Sequence, residues 1–326
     1  MADRIALITG AGGFIGSHLV ETARAAGYSV RAFVHYNSSN TRGWLSEVAD
    51  LTGIDIVAGD IRDYDSVLAA AEGCDAVFHL AALIGIPYSY ISPLAYVKTN
   101  IEGTYNILEA ARRLRVPNVL ITSTSETYGT AQYVPIDEKH PAVGQSPYAA
   151  TKIGADQLAL SYHRSFGLPV KVVRPFNTYG PRQSARAIIP TVATQILAGK
   201  RRLDLGNVAP TRDLTFVEDT AAAFLAIAER PECVGMATNV GMNAEISVGA
   251  LVEKISHILD ARVEINSDLR RVRPAESEVE RLCCDNGRIR QLTHWRPQWD
   301  LDRGLRRTIE WIRQHQAIYK ADVYNV

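Results

Sequence analysis

The feature that most constrains this chain is the run Thr9-Gly10-Ala11-Gly12-Gly13-Phe14-Ile15-Gly16, placed between the apolar stretch Arg4–Thr9 and an amphipathic segment. Glycine lets a backbone turn sharply, approach another backbone closely, or receive a ligand with no side chain in the way. Glycines at 10, 13 and 16 between a strand and a helix predict a phosphate-binding turn. The helix N-terminus behind such a turn presents free N–H groups and the positive end of its dipole to a pyrophosphate. The spacing is GxxGxxG, where the older dehydrogenase pattern is GxGxxG. Gly10, Gly13, Phe14, Ile15 and Gly16 are therefore assigned to a dinucleotide.

The next 160 residues repeat the strand–helix alternation. Ser17–Ala26 reads as a helix with Leu19, Val20 and Ala23 on one face. Ser29–Val34, Ile54–Ala58, Ala76–Leu80, Val119–Thr122 and Val170–Val173 read as buried strands. Helices are expected near Leu94–Leu114, with Val97, Ile101, Tyr105, Leu108 and Ala111 at helical spacing, and at about Tyr148–Phe166. This rhythm predicts an α/β fold, a Rossmann-like doubly wound parallel sheet covered on both faces. After Arg174-Pro175 the rhythm loosens, except that Phe216–Asn239 reads as one more helix and strand. Residues 1–175 plus about 216–241 are expected to bind the dinucleotide. Residues 176–215 plus about 242–326 are expected to form a smaller, interleaved C-terminal α/β substrate domain.

Composition narrows the partners. Lys+Arg and Asp+Glu are 35 each in 326 residues, so there is no net field to hold a polyanion and no nucleic acid is expected. No apolar run approaches the roughly 20 residues that span a bilayer, so no membrane partner is expected either. The N-terminus enters strand and turn at once, leaving no room for a signal peptide, and a cytoplasmic location is expected. Cys74, Cys233, Cys283 and Cys284 have no metal-like spacing and read as reduced, packed thiols, with no metal site.

The end of the second strand bears on the cofactor, since an acidic residue there would hold a ribose 2′-hydroxyl. The chain reads Val34-His35-Tyr36-Asn37-Ser38-Ser39-Asn40-Thr41-Arg42, with no carboxylate. His35, Asn37, Ser38 and Arg42 could surround a 2′-phosphate, which leans toward NADP over NAD; a solvated loop has the same composition. Asp60 and Ile61 are placed for adenine, or the Asp60–Asp63 stretch caps a helix.

Tyr148 and Lys152 lie four apart at the start of a helix, which stacks them on one face. A cation beside a phenol favours phenolate, a base able to take a proton from an alcohol while hydride leaves the same carbon.

With these residues in place, the chain resembles the extended short-chain dehydrogenase/reductase family. The matching elements are the glycine run, His79-Leu80-Ala81-Ala82, Asn100 before Glu102-Gly103-Thr104, the Tyr148/Lys152 pair, Arg174–Pro181, and Arg212-Asp213 with Phe216-Val217-Glu218-Asp219. They span essentially the whole chain. The resemblance implies a tightly held, recycled nicotinamide cofactor also touched by Leu80, Ala81, Ala82 and Thr99, and a nucleotide-activated sugar as substrate. It implies that Ile84, Tyr88, Asn100, Asn177, Arg186, Arg212, Arg273 and Glu276 face that substrate. It also implies a homodimer through a four-helix bundle built from the helices near 94–114 and 147–166.

The segment Ser123-Thr124-Ser125-Glu126-Thr127 points to the reaction. Simple 4-epimerases of the family usually have a small residue where Glu126 stands. Glu126 looks like the base of the nucleotide-sugar 4,6-dehydratases, with Thr124 positioning the substrate and Ser125 where many relatives carry an acidic residue. The implied sequence is C4 oxidation, removal of the C5 proton by Glu126 as water leaves C6, and return of hydride to C6. The stretches 82–90 and 135–141, with Tyr324-Asn325-Val326, are similar to dehydratases of legionaminic-acid-type pathways. That likeness implies a UDP- or GDP-linked N-acetylglucosamine. A 4-epimerase and a UDP-glucuronate decarboxylase remain the alternatives, and a non-catalytic binding protein is disfavoured because both Tyr148 and Lys152 are present.

Overall fold

The structure, a computed structural model, describes residues 4–321. The C-terminal Tyr324-Asn325-Val326 stretch therefore lies outside the described residues. From the N-terminus the chain runs β1 (Arg4–Thr9), α1 (Phe14–Ala25), β2 (Tyr28–His35), β3 (Ile54–Gly59), α2 (Tyr64–Ala71) and β4 (Ala76–His79). It continues α3 (Ile86–Ile91), α4 (Pro93–Tyr96), a π-helical turn (Val97–Glu102), α5 (Gly103–Leu114), β5 (Val119–Thr122), α6 (Pro147–Phe166) and β6 (Val170–Pro175). The second half comprises β7 (Asn177–Tyr179), α7 (Ile188–Leu197), β8 (Arg202–Leu205), β9 (Thr211–Phe216), α8 (Val217–Ala228) and β10 (Ala237–Val240). β11 (Glu245–Ser247), α9 (Val248–Ile258), β12 (Glu264–Ser267), α10 (Gly287–Thr293) and α11 (Leu301–Gln314) complete it.

Seven strands form one parallel sheet in the order β10-β6-β5-β4-β1-β2-β3. Successive side chains of a strand point to opposite faces, and β1 divides accordingly. Ala6 and Ile8 join Leu19, Val20, Ala23 and Phe224 from α1 and α8. Leu7 joins Val67, Ile107, Leu108 and Ala159 from α2, α5 and α6. Both faces are covered, which is why these strands are apolar throughout. The chain winds outward from β1 to β3 and then the other way from β4 to β6, so a crevice opens beyond the C-terminal ends of β1 and β4.

The remaining strands make a three-stranded sheet, β11-β9-β7, and a two-stranded one, β12-β8. Their core gathers Val192 and Ile196 of α7, Leu251 and Ile255 of α9, and Leu305 and Ile309 of α11. One bridge between the halves starts at the glycine run. The Trp44 N–H donates to Gly12 O at 2.9 Å, and the Trp44 indole meets Trp311 of α11 edge-on at 5.2 Å.

Two expectations shift. The first helix begins at Phe14 rather than Ser17, so Phe14, Ile15 and Gly16 form its first turn directly behind the glycines. The long helix expected near 94–114 is interrupted by the π-helical turn. That turn breaks the apolar phase: Leu108 and Ala111 are fully buried, whereas Val97 and Tyr105 are 43% and 44% exposed. Asn100 and Thr104 take the inward positions instead.

Candidate active site

The three motif glycines do different work. Gly10 has φ +69°, and a Cβ there would lie 2.8 Å from the Ala81 nitrogen. A Cβ on Gly16 would lie 2.1 Å from Gly10 O. Both are required by the protein's own backbone. Gly13 is exposed, and the only atom a Cβ there would approach is Gly10 O, at 3.1 Å. Gly13 also caps α1 with no side-chain partner, and no acidic residue sits in the first turn. An uncapped helix N-terminus behind a bare glycine fits a pyrophosphate. Phe14, Ile15, Leu80, Ala81 and Ala82 are half-buried near the ends of β1 and β4. The two strand ends are tied together because Ala81 N–H donates to Thr9 Oγ1 at 3.2 Å. His79 sits behind them, between Thr9 Oγ1 at 2.8 Å and Thr104 Oγ1 at 3.1 Å. Burial holds its pKa down to about 3, so it is a neutral spacer and not an acid–base group.

In the loop after β2, His35, Ser38 and Arg42 are exposed. Asn37 is spent on its own turn, accepting from Thr41 N at 3.1 Å and donating to Thr41 O at 3.0 Å. Asp60 does not cap a helix; it accepts from Arg62 N and Nε at 2.9 and 3.0 Å, and Asp63 caps α2 instead. Ile61 is buried against Gly103, and its carbonyl accepts from Asn106 at 2.9 Å. Thr99 is half-buried on the π-helical turn.

Tyr148 and Lys152 lie in the first two turns of α6, which Ser146 caps through Ala149 N–H with Pro147 at the first position. Both are buried. No hydrogen bond or ion pair reaches the Lys152 ammonium among the described residues, an orphaned donor that fits ligand hydroxyls. Burial pushes its pKa down to about 8, with the Asp156 charge opposing. The phenol departs from expectation. Burial raises its pKa; Glu126, Tyr96 and Asp156 add to the rise, and the nearby Thr124 opposes it. In the protein alone the dry surroundings of a phenolate outweigh the cation one turn away.

Glu126 rides on a short 3₁₀ turn, Ser125–Tyr128, whose N-cap is Thr124. Thr124 Oγ1 accepts from Glu126 N–H at 3.3 Å, and Thr124 lies near enough to the Tyr148 phenol to favour its charged form. Ser125 is buried beneath the turn. The Glu126 carboxylate is half-buried, close enough for its charge to act on both Tyr148 and Arg212, and it makes no side-chain hydrogen bond among the described residues.

The substrate residues divide. Arg212 is held against Glu278 Oε1 at 3.2 Å, and Arg273 approaches the same oxygen at 3.5 Å. Two guanidinium groups on one carboxylate oxygen leave donors over for an anion. Asn177 carries a buried, unpartnered carboxamide oxygen, which fits a ligand donor. Arg186 is exposed, with Nη1 3.0 Å from where a Cβ on Gly85 would stand. Ile84 and Tyr88 are exposed, and Tyr88 leads through Tyr96 to Tyr148 by ring contacts of 6.2 and 6.3 Å. Asn100 is committed to the protein: it accepts from Leu83 N at 2.9 Å and donates to Leu83 O at 3.0 Å and Thr151 Oγ1 at 3.1 Å. It positions the 80–85 loop against α6. Glu276 is exposed and offers only its backbone carbonyl, to Gln145 at 3.0 Å.

Sequence reading gave Gln145 no role, and gave Glu278 and Asp213 none beyond their places beside Arg273 and Arg212 in motifs. Asp213 accepts from Met242 N, Ala244 N and Cys284 N at 2.7, 3.3 and 3.0 Å, joining three distant segments behind Arg212. Its position beside Arg212 was the available signal. Among the described residues, no cluster of His, Cys, Asp or Glu could hold a metal, and no helix is long and apolar enough to cross a membrane.

Comparison with known proteins agrees with this geometry. A family model described as GDP-mannose 4,6 dehydratase matches residues 7–308. The chain is 33% identical to a dTDP-glucose 4,6-dehydratase of Streptomyces antibioticus over 95% of its length and 93% of the relative's. It is 32% identical to a UDP-glucose 4-epimerase of Mycolicibacterium smegmatis, covering 94% and 98%. Its fold matches a dTDP-glucose 4,6-dehydratase from Streptomyces venezuelae solved with NAD bound, with a TM-score of 0.87 and 30% identity over 97% and 99% of the two chains. The chain belongs to the GDP-mannose 4,6-dehydratase family, within the extended short-chain dehydrogenases/reductases.

Proposed function

We propose that this protein is a nicotinamide-dependent nucleotide-sugar 4,6-dehydratase acting on a UDP- or GDP-linked hexose, with N-acetylglucosamine as the sugar. The observation that carries the reading is the Glu126 carboxylate, free of side-chain hydrogen bonds among the described residues and near enough for its charge to act on both Tyr148 and Arg212. An epimerase needs no such base. The crevice beyond β1 and β4 would hold the dinucleotide on residues of 4–175 and 216–241. Residues 176–215 and 242–321 would supply the sugar side. When bound, an oxidised nicotinamide supplies a hydride acceptor, later a donor, and a positive charge. Tyr148, as a phenolate steadied by the Lys152 ammonium, takes the C4 hydroxyl proton and becomes the neutral phenol. The new C4 ketone acidifies C5–H, which Glu126 removes as the C6 hydroxyl departs. That hydroxyl leaves as water, its proton coming from Glu126 or from a water, after which C6 regains the hydride and C5 a solvent proton. Arg212 and Arg273 hold the diphosphate.

The loop after β2 supports NADP over NAD, since His35 and Arg42 are exposed there and no carboxylate is present. Exposed Leu94, Val97 and Tyr105 along α4, the π-helical turn and α5 support a homodimer through this face and α6. Four free, buried cysteines support a reducing cytoplasmic setting.

The test is product mass after incubation with UDP-, GDP- and dTDP-linked hexoses, with retained cofactor released by acid and identified. Loss of one water from a donor is expected, and Glu126→Gln should abolish it while C4 oxidation persists. An isomer of unchanged mass, loss of carbon dioxide from a glucuronate, or normal elimination by Glu126→Gln would overturn the reading. Released NAD would overturn the NADP preference.

A further inference from the structure

We propose that the buried Asp156–Arg174 ion pair is a positioning device that grips the Glu126 turn at both ends and keeps elimination in step with C4 oxidation. It rests on the dehydratase reading above. Asp156 is 1% exposed and lies one helical turn beyond Lys152 on α6. Its Oδ2 accepts from Ser123 Oγ at 2.7 Å and from Arg174 Nε and Nη2 at 3.1 and 2.8 Å. Arg174 turns its Nη1 to the Tyr128 hydroxyl at 3.0 Å, and that hydroxyl donates to Asn239 Oδ1 at 2.7 Å. Ser123 directly precedes Thr124-Ser125-Glu126, and Tyr128 ends the same turn. One ion pair therefore holds the turn from its entry and its exit.

Desolvating a carboxylate and a guanidinium costs several kcal/mol, and an apolar pair of the same volume is often no less stable. A positional role accounts for keeping the charges. Asp156 Oδ1 has no partner among the described residues, so this carboxylate also faces its neighbourhood on α6 with charge to spare. The two catalytic functions depend on the pair unequally. Tyr148 and Lys152 are held by α6 and its Ser146 cap. Glu126 sits on a single irregular turn that, among the described residues, Ser123 ties to Asp156 of α6 and Tyr128 ties to Arg174 and Asn239 of the sheet. Loosening the pair should displace the base more than the phenol.

Tyr128→Phe removes one grip and Ser123→Ala the other, each by a single oxygen. Asp156→Asn keeps the shape and removes the charge. The readouts are the wild-type product mass, the 340 nm absorbance of reduced nicotinamide in a single turnover, and solvent deuterium at C5 of product. In Tyr128→Phe, elimination should slow about 10-fold, the scale of one lost hydrogen bond to a charged group. KM and the rate of C4 oxidation should change by less than about threefold, so reduced cofactor accumulates. Ser123→Ala should behave alike, so the proposal stays testable if Asp156→Asn does not fold. Oxidation and elimination falling together, or an unchanged ratio in both single-oxygen variants, would overturn it. A wild-type enzyme that releases no water would instead sink the dehydratase reading itself, which separates the two failures.

Discussion

The cofactor crevice and the sugar-side cluster are built in opposite ways. The crevice is made by a local stretch, residues 9–16, whose backbone meets one other strand end at Ala81. The candidate sugar side gathers side chains from residues 126, 145, 177, 212, 273 and 278 through links such as the buried Asp213 and the partly exposed Gln145. The first tolerates no added atom at two positions; the second depends on charges that balance one another. Space should therefore limit one region and electrostatics the other.

The largest effect should come from glycine. Gly16→Ala puts a Cβ on Gly10 O and should cost more than about 3 kcal/mol, enough to lower the yield of folded protein. Gly13→Ala meets only a 3.1 Å contact, so the thermal midpoint without cofactor should move little while dinucleotide affinity drops. Equal destabilisation by both would show that Gly13 serves packing and not a ligand.

Acid should separate the regions next. Burial first, and Arg182 second, hold His18 down to about 4 in the folded protein, and its ordinary value is 6.5. Its contribution, roughly 3 kcal/mol, is present above pH 6.5 and lost as pH falls toward 4. His79 acts with the same sign. Asp213 has the opposite sign, because burial raises its carboxyl to about 6. The strain of burying that charge appears as pH rises from 3.8 to 6 and is relieved in acid. Hydrogen exchange, corrected for intrinsic rates, should lose protection around α1 and β4 on acidification while the Met242, Ala244 and Cys284 amides keep theirs. Loss in the reverse order would break the comparison.

Arg212→Ala should raise KM for a nucleotide sugar about 10–100-fold, the scale of a charged hydrogen bond. Arg273→Ala, at a more exposed group, should do less. The smallest effects belong to caps. Asp63→Ala on α2 and Ser247→Ala on α9 should each cost about 1 kcal/mol. If the halves unfold as one unit, as the Trp44–Trp311 contact suggests, both variants shift one transition in denaturant; two separate transitions would show the halves to be independent.

This contrast also explains what could be read in advance. The glycine run, the Tyr148/Lys152 pair and the parallel strands are local patterns, and a chain displays them in order. Glu278 was less legible than Glu276 because only folding shows which carboxylate turns toward Arg212 and Arg273. Asn100 sits at a motif position, yet its amide is consumed by Leu83 and Thr151, and no spacing rule signals that. The raised Tyr148 pKa was not legible either, because burial and the nearby Glu126, Tyr96 and Asp156 come together only in the fold.

The π-helical turn at Val97–Glu102 makes this stretch sensitive to length in a way that composition does not reveal. Each residue advances an α-helix by about 100°, so removing one from this turn would restore regular winding and rotate α5 against α4. Either Asn100 would leave Leu83 and Thr151, or Leu108 and Ala111 would turn out of the sheet face. Circular dichroism of such a deletion should show helix retained while dinucleotide binding fails. A gene that loses one codon here would encode a better helix and a dismantled crevice.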